Sequence, residues 1–301
     1  MIELKQPVGR KAALFNEREH QICVVARLIE DGKAYWIAAG GSPMASMLLA
    51  KRLYAPNAVY VTEDGIVAPE PLIPFDPMQQ VVSPRAGYRA LQWANMNLIG
   101  AYAQAGVLDY GILNTLQVDP YGNINSTALG DFEGGEYRRF GGPGGADSVA
   151  ALCWRTILLT DHDRRKFVPR VDFISSPGFL DGSEGARERW GLPRGTGPYL
   201  LITPWAMFDY EERYMRLVAI SPFVTLEQVL DEMGFRPKIA PQLQTLETPT
   251  EEELTILRTE LDPRGQITLP DSSRWVALND DGSYSFVEAE AKAVDPNLPR
   301  W

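Results

Sequence analysis

The sequence is poor in the side chains that most often carry chemistry alone. Its 301 residues include two cysteines and two histidines. Cys23 and Cys153 each lie in an apolar run (Ile22-Cys23-Val24-Val25 and Ala151-Leu152-Cys153-Trp154), which reads as reduced core thiols rather than a disulfide. His20 and His162 have no second ligand at metal-binding spacing, so no metal site is expected. His162, in Asp161-His162-Asp163-Arg164-Arg165-Lys166, reads as a surface residue of a charged turn. A Gly-x-Ser-x-Gly elbow, a Walker lysine loop and a dinucleotide fingerprint are all missing, which removes the commonest hydrolase and nucleotide-binding readings. Positive charge is scarce too. Lys and Arg number 29 against 39 Asp and Glu, a net charge of −10 that argues against a nucleic-acid partner. No apolar run approaches the roughly 20 residues that span a bilayer. Met1 to Pro7 has no apolar core of signal-peptide length, so a cytoplasmic protein without a membrane partner is expected.

What remains is an ordinary globular composition with β-α-β punctuation. Residues 17–29 place Ile22, Val25, Ala26 and Ile29 on one helical stripe. Residues 34–39 read as a strand, and 44–53 as a helix with Ser42 as N-cap and Pro43 at its first position. Ala58-Val59-Tyr60-Val61 is the next strand. Further strands are expected at 110–113, 156–160, 171–174, 199–202 and 217–220, with helices at 86–105, from 148, at 225–234 and at 250–261. The last carries a capping box, Thr250 with Glu253. The pattern predicts an α/β fold, an open, mainly parallel sheet flanked by helices, as a single domain over 1–263. Residues 264–301 read as an extended C-terminal tail, docked on a partner through Trp275, Phe286 or Trp301.

Open sheets of this kind bind ligands at the carboxyl ends of their strands. Three features fall there. Glu63, in Thr62-Glu63-Asp64-Gly65, ends a strand at a glycine turn; a desolvated carboxylate can attack an acyl carbon, and the same residues make a plain solvated turn. Asp64 follows it, and strand alternation points the two side chains apart. Asn114 ends the strand Tyr110-Gly111-Ile112-Leu113, where its amide can donate to an oxyanion or close an Asx-turn, an ambiguity shared by Gln117. Gly141-Gly142-Pro143-Gly144-Gly145-Ala146-Asp147 offers bare backbone N–H groups ahead of a helix, the composition of an oxyanion site or of a hinge.

With these motifs in hand, the chain resembles the β subunit of family I coenzyme A transferases, most closely the glutaconate CoA-transferase type. The similarity runs from about Glu19 to Pro263. It includes Ala50 to Pro56, Asp119-Pro120-Tyr121-Gly122-Asn123 with Asn125-Ser126-Thr127, and Arg139-Phe140 before the glycine loop. Ser176 to Gly182, Arg187 to Pro193 and Glu260 to Pro263 extend it. The resemblance implies that Glu63 is the nucleophile, forming a mixed anhydride and then a glutamyl-CoA thioester from which an acceptor carboxylate takes the CoA. It implies that Asn114 and the loop of Gly142, Gly144 and Gly145 hold the oxyanion, with Asp64 and Gln117 in support. Coenzyme A is then a substrate, with no tightly bound cofactor. A separate α-type subunit is the expected partner, able to supply cations for the CoA phosphates. Two departures matter. Asp64 stands where the family has a small residue, and Asn114 and Leu116 stand where glutaconate-type chains carry glycine and alanine. Thioester and ring-opening hydrolases of steroid-ring breakdown share the fold and read Thr-Asp-Gly at this tip. A hydrolase of that kind and a non-catalytic structural subunit are therefore the alternatives.

Overall fold

Strands buried on both faces need apolar residues at every position, and the longest apolar runs of this sequence become the centre of one sheet. The structure is a computed structural model describing residues 4–37, 40–74, 84–269 and 273–289. Its main sheet has ten strands, numbered here in chain order: β1 (Ala34–Ile37), β2 (Val59–Thr62), β3 (Ile66–Val67), β4 (Gln92–Trp93), β5 (Tyr110–Asn114), β6 (Arg155–Leu159), β7 (Pro198–Ile202), β8 (Ala206–Glu211), β9 (Tyr214–Ile220) and β10 (Lys238–Thr245). Their order across the sheet is β10-β9-β8-β7-β6-β5-β1-β2-β3-β4. The five central strands run parallel, while β3, β4 and the β7-β8-β9 turns add antiparallel pairs. The sheet is thus mixed, with its parallel core where the sequence placed it.

Helix α1 (Glu17–Leu28) opens on Asn16, which accepts from the Glu19 N–H while the Glu19 carboxylate accepts from the Asn16 N–H. It packs on α2 (Ser42–Leu53), and Ile22, Val25, Met47 and Leu49 are fully buried. Gln21 reaches from α1 to the carbonyls of Thr160 and Ile202, tying the helix to the tips of β6 and β7. On the C-terminal side, Arg27 forms a buried ion pair with Glu253 of the helix Glu251–Thr255. That helix begins with the expected Thr250 capping box.

Several local expectations are corrected. Helix α2 starts at Ser42, and its cap is Gly41 in a positive-φ conformation, so Ser42 is one position inside. Residues 86–105 hold a helix, α3, only over Met96–Gln104, capped by Asn95; the stretch before it supplies the edge strand β4. Residues 171–174 form a loop rather than a strand. The Asp172 carboxylate accepts from the Gly130 N–H and the Gln117 amide, side-chain bonds that take the place of a sheet ladder. His162 is buried, its ring between the Thr203 hydroxyl, the Val229 carbonyl and the face of Trp205.

The presumed tail is also different. Trp275–Leu278 and Tyr284–Val287 pair as an antiparallel hairpin that adds to the strand Leu14–Asn16. Val276 and Phe15 are fully buried there, and Phe286 packs against Phe223 and the Arg274 guanidinium. Alternating apolar residues gave this segment a face to bury, and the chain's own body covers it. Trp301 lies outside the described residues.

Candidate functional site

Register brings the strand tips into line. Ile37 of β1 pairs with both Thr62 of β2 and Ile112 of β5, and Asn114 pairs with Leu159 of β6. Glu63 and Asn114 therefore stand on the same carboxyl-end rim of the parallel strands. Their strands are separated by one other, on the order of 10 Å at normal strand spacing.

Glu63 is half-buried and turned toward the glycine loop. Its Oε1 accepts from the Gly145 N–H at 2.6 Å. The loop meets it as bare backbone. A Cβ on Gly144, whose φ is +55°, would collide with Glu63 Oε1, and one on Gly145 would come within 3.2 Å of Glu63 Cγ. A side chain on either glycine would push the Glu63 carboxylate from this position, and the positive φ of Gly144 disfavours one in any case. Asp64 goes elsewhere, because its carboxylate accepts from the Thr62 hydroxyl, which in turn accepts from the Ile66 N–H. The turn thus spends Asp64 on itself and leaves Glu63 facing the loop.

The loop is held from behind. Phe140 N–H donates to the Thr127 carbonyl at 2.7 Å and Gly142 N–H to the Ser126 carbonyl at 3.0 Å. Ser126 and Thr127 are themselves fixed by the Ser175 hydroxyl. Asp119, which accepts from the Tyr121 and Asn123 N–H groups and the Asn123 amide, shapes the turn before them. Burial pushes the Asp119 carboxyl up to about 6 against those hydrogen bonds. Of the three glycines, Gly142 spends its N–H on Ser126 and Gly145 on Glu63. The Gly144 N–H has no partner among the described residues.

Asn114 is exposed at its tip, and no hydrogen bond joins it to Glu63 among the described residues. Gln117 is buried and fully engaged. It accepts from Asn125 at 2.6 Å and from the Asp172 N–H, and donates to the Asp172 carboxylate. It braces the loop frame. Sequence reasoning missed Thr62 and Ser126, which set the two sides of the site. The Thr-x-Asp spacing is a hydroxyl-carboxylate turn signal that points to Thr62, whereas Ser126 acts through its carbonyl and leaves no sequence signal.

The matching family model, Coenzyme A transferase, covers residues 18–232. The chain belongs to the coenzyme A transferase family. It is 31% identical over 256 residues to the B subunit of glutaconate CoA-transferase from Acidaminococcus fermentans, spanning 83% of this chain and 93% of that one. A chain of the crystal structure of glutaconate coenzyme A-transferase from the same organism superposes with a TM-score of 0.77, at 29% identity, over 85% of this chain and 98% of that one. The B subunit of 3-oxoadipate CoA-transferase from Pseudomonas knackmussii is 29% identical over 81% of this chain and 92% of its own length. The cholesterol ring-cleaving hydrolase IpdB subunit of Mycobacterium tuberculosis is 28% identical over 51% of this chain and 60% of that one. In sequence the two CoA-transferase B subunits are matched over nine-tenths of their length, and the hydrolase subunit over 60%. Among the described residues no helix is long and apolar enough to cross a membrane.

Proposed function

We propose that this chain is the β-type subunit of a heteromeric CoA-transferase, moving CoA from an acyl-CoA to a carboxylate acceptor with Glu63 as the nucleophile. The observation that carries the reading is the seating of the Glu63 carboxylate on the Gly144-Gly145 backbone at the strand tips. The hydrogen bond from Gly145 fixes the side chain and leaves Oε2 to attack the thioester carbonyl. CoA thiolate departs, and a mixed anhydride between Glu63 and the acyl group remains. Thiolate then attacks the Glu63 carbonyl of the anhydride, releasing the donor as its carboxylate and leaving a glutamyl-CoA thioester. The acceptor carboxylate repeats the sequence in reverse. Each tetrahedral intermediate places negative charge on oxygen, and the free Gly144 N–H and the exposed Asn114 amide are the donors on hand. An α-type companion subunit completes the cleft and adds cations for the CoA phosphates to those of a chain whose net charge is −10.

A hydrolase using the aspartate of a Thr-Asp-Gly tip is less favoured, because Asp64 is bonded back to Thr62. The test is a panel of acyl-CoA thioesters given to the complex with the companion subunit, with and without carboxylate acceptors. Transferase chemistry predicts acceptor-dependent turnover and a borohydride- or hydroxylamine-trapped adduct on Glu63. Glu63→Ala should lose at least about 10³-fold in kcat, as expected when a covalent nucleophile is removed. Full turnover in Glu63→Ala, or CoA release without an acceptor and without an adduct, would overturn it.

A further inference from the structure

A cavity of about 430 Å³ opens at the amino ends of β6 and β7, on the rim opposite Glu63. Arg155 begins β6, Tyr199 lies at the start of β7, and Arg213 stands in the turn between β8 and β9. All three line the cavity, with Trp154, Phe179 and Arg187. A strand's length, on the order of 15 Å, separates this rim from the strand tips. The space is of a size that holds a small organic ligand.

Arg187 is the residue that points to a ligand. It is only 4% exposed, yet no carboxylate pairs with it among the described residues. Its terminal nitrogens donate to the carbonyls of Pro177, Gly178, Ala150 and Ala151 and to the Thr196 hydroxyl. Two of those carbonyls close the end of helix α4 (Ala146–Leu152). Carbonyls satisfy N–H groups without cancelling a charge, and Nε has no partner among the described residues. Arg27, buried to the same degree, is met by both oxygens of the Glu253 carboxylate. Burial accordingly lowers the pKa of Arg187 to about 10, against the pull of Glu188. A buried cation without a counter-charge is costly, and an anion beside it offsets that cost.

The other two guanidinium groups are open to such an anion. Arg155 donates to the Tyr110 hydroxyl and lies 4.7 Å over the Tyr199 ring, and Arg213 Nε donates to the Gly182 carbonyl. Neither forms an ion pair among the described residues. Glu184 and Glu188 also line the cavity, and both are exposed, so three cations face two carboxylates. Trp154, 44% exposed, and Phe179 add flat apolar surface. We propose that this cavity binds a phosphate monoester carrying a flat ring. Arg155 and Arg213 take the phosphate with the buried charge of Arg187 in support, and the ring lies on Trp154 and Phe179. Guanidinium groups from three separate elements suit the three oxygens and double charge of a phosphate better than the two oxygens of a carboxylate. The inference is independent of the transferase reading, because none of these residues belongs to the Glu63 site.

The test is calorimetric titration of the full chain with phenyl phosphate as the probe. One site is expected, with benzoate and inorganic phosphate each bound more weakly. Arg155→Gln and Arg213→Gln, which leave buried Arg187 in place, should keep the wild-type circular dichroism spectrum. Each should raise the dissociation constant about tenfold or more, as the loss of a hydrogen bond to a charged group does. Trp154→Ala should lose the preference for phenyl phosphate over inorganic phosphate, and Glu63→Ala should bind as wild type does. No binding of phenyl phosphate by the wild type, or unchanged affinity in both arginine variants, would overturn the site. Benzoate binding as tightly as phenyl phosphate would overturn the choice of a phosphate. Binding lost in Glu63→Ala would move the probe to the strand tips and overturn the site as well.

Discussion

A single side-chain atom separates the observed seat of the Glu63 carboxylate from a crowded one. Gly144 has a left-handed φ and no room for a Cβ, since that atom would occupy the place of Glu63 Oε1. Gly144→Ala should therefore displace the carboxylate by about an ångström while leaving the core untouched. A displacement of that size at a reacting group can cost about 10²-fold in rate. Steady-state kinetics should find kcat down by about that factor, with KM for acyl-CoA nearly unchanged and the thermal midpoint within a few degrees of wild type. Equal turnover would show that the position of Glu63 on the loop does not govern the proposed reaction. At this scale the sequence was legible in part. Glu63 and the glycine loop stood out because a carboxylate and bare backbone each leave a compositional mark. Which of Glu63 and Asp64 turns to the glycine loop did not, because it depends on which side chain the Thr62 hydroxyl captures. Gln117, expected in support, needed its partners to be placed. A buried amide and a catalytic one look alike until their partners are known, and both polar atoms of Gln117 are taken by Asn125 and Asp172.

Among the elements, burial on two faces made the central strands readable. Tyr35-Trp36-Ile37, Ile112-Leu113 and Ile157-Leu158-Leu159 are apolar at consecutive positions, as a covered parallel strand requires. The segment 171–174 is apolar except for Asp172, whose carboxylate accepts from the Gln117 amide and the Gly130 N–H and holds it as a loop. The C-terminal hairpin was hidden by distance in sequence. Trp275 pairs with Asn16, and no local pattern announces a partner so far along the chain. Its packing has a consequence that partner docking would not have. Ending the chain at Leu269 strips the cover from Phe15 and removes fully buried Val276. Each fully buried apolar side chain of this size contributes about 1.5 to 3 kcal/mol. The truncated chain, measured alone, should unfold at a midpoint lower by about 5 °C or more and bind a hydrophobic dye. An unchanged midpoint would mean that the hairpin is not part of the stable body.

In the molecule as a whole, two buried histidines set how stability responds to acid. His162 donates from Nε2 to the Val229 carbonyl, and its Nδ1 lies 3.0 Å from the Thr203 hydroxyl oxygen. Burial lowers its pKa to about 4, against the smaller opposing pull of the Val229 carbonyl and of Glu17 and Asp163. His20, fully buried beside Ser221, is lowered to about 3 by burial, with a further push from Arg27. In the unfolded chain both titrate near 6.5. Between that value and their folded pKa the unfolded state binds more protons, so their contribution is complete above about pH 6.5 and is lost as pH falls toward about 4. Asp119 acts in the opposite sense. Its raised pKa of about 6 means the native state binds the extra proton between about 4 and 6, and stability rises there on acidification. Asp262, also raised by burial, adds in the same direction. From about pH 7.5 to about pH 5 each histidine is worth a loss of about 2 kcal/mol, and Asp119 returns about 1. Urea unfolding should accordingly give a lower midpoint at the acid end of that range than at the alkaline end. His162→Gln, which keeps a polar group of similar reach but cannot charge, should shrink the difference by about 2 kcal/mol even if it starts from a less stable protein. Equal midpoints at the two pH values, or a His162→Gln difference as large as that of wild type, would mean that the ring is already protonated in the folded chain.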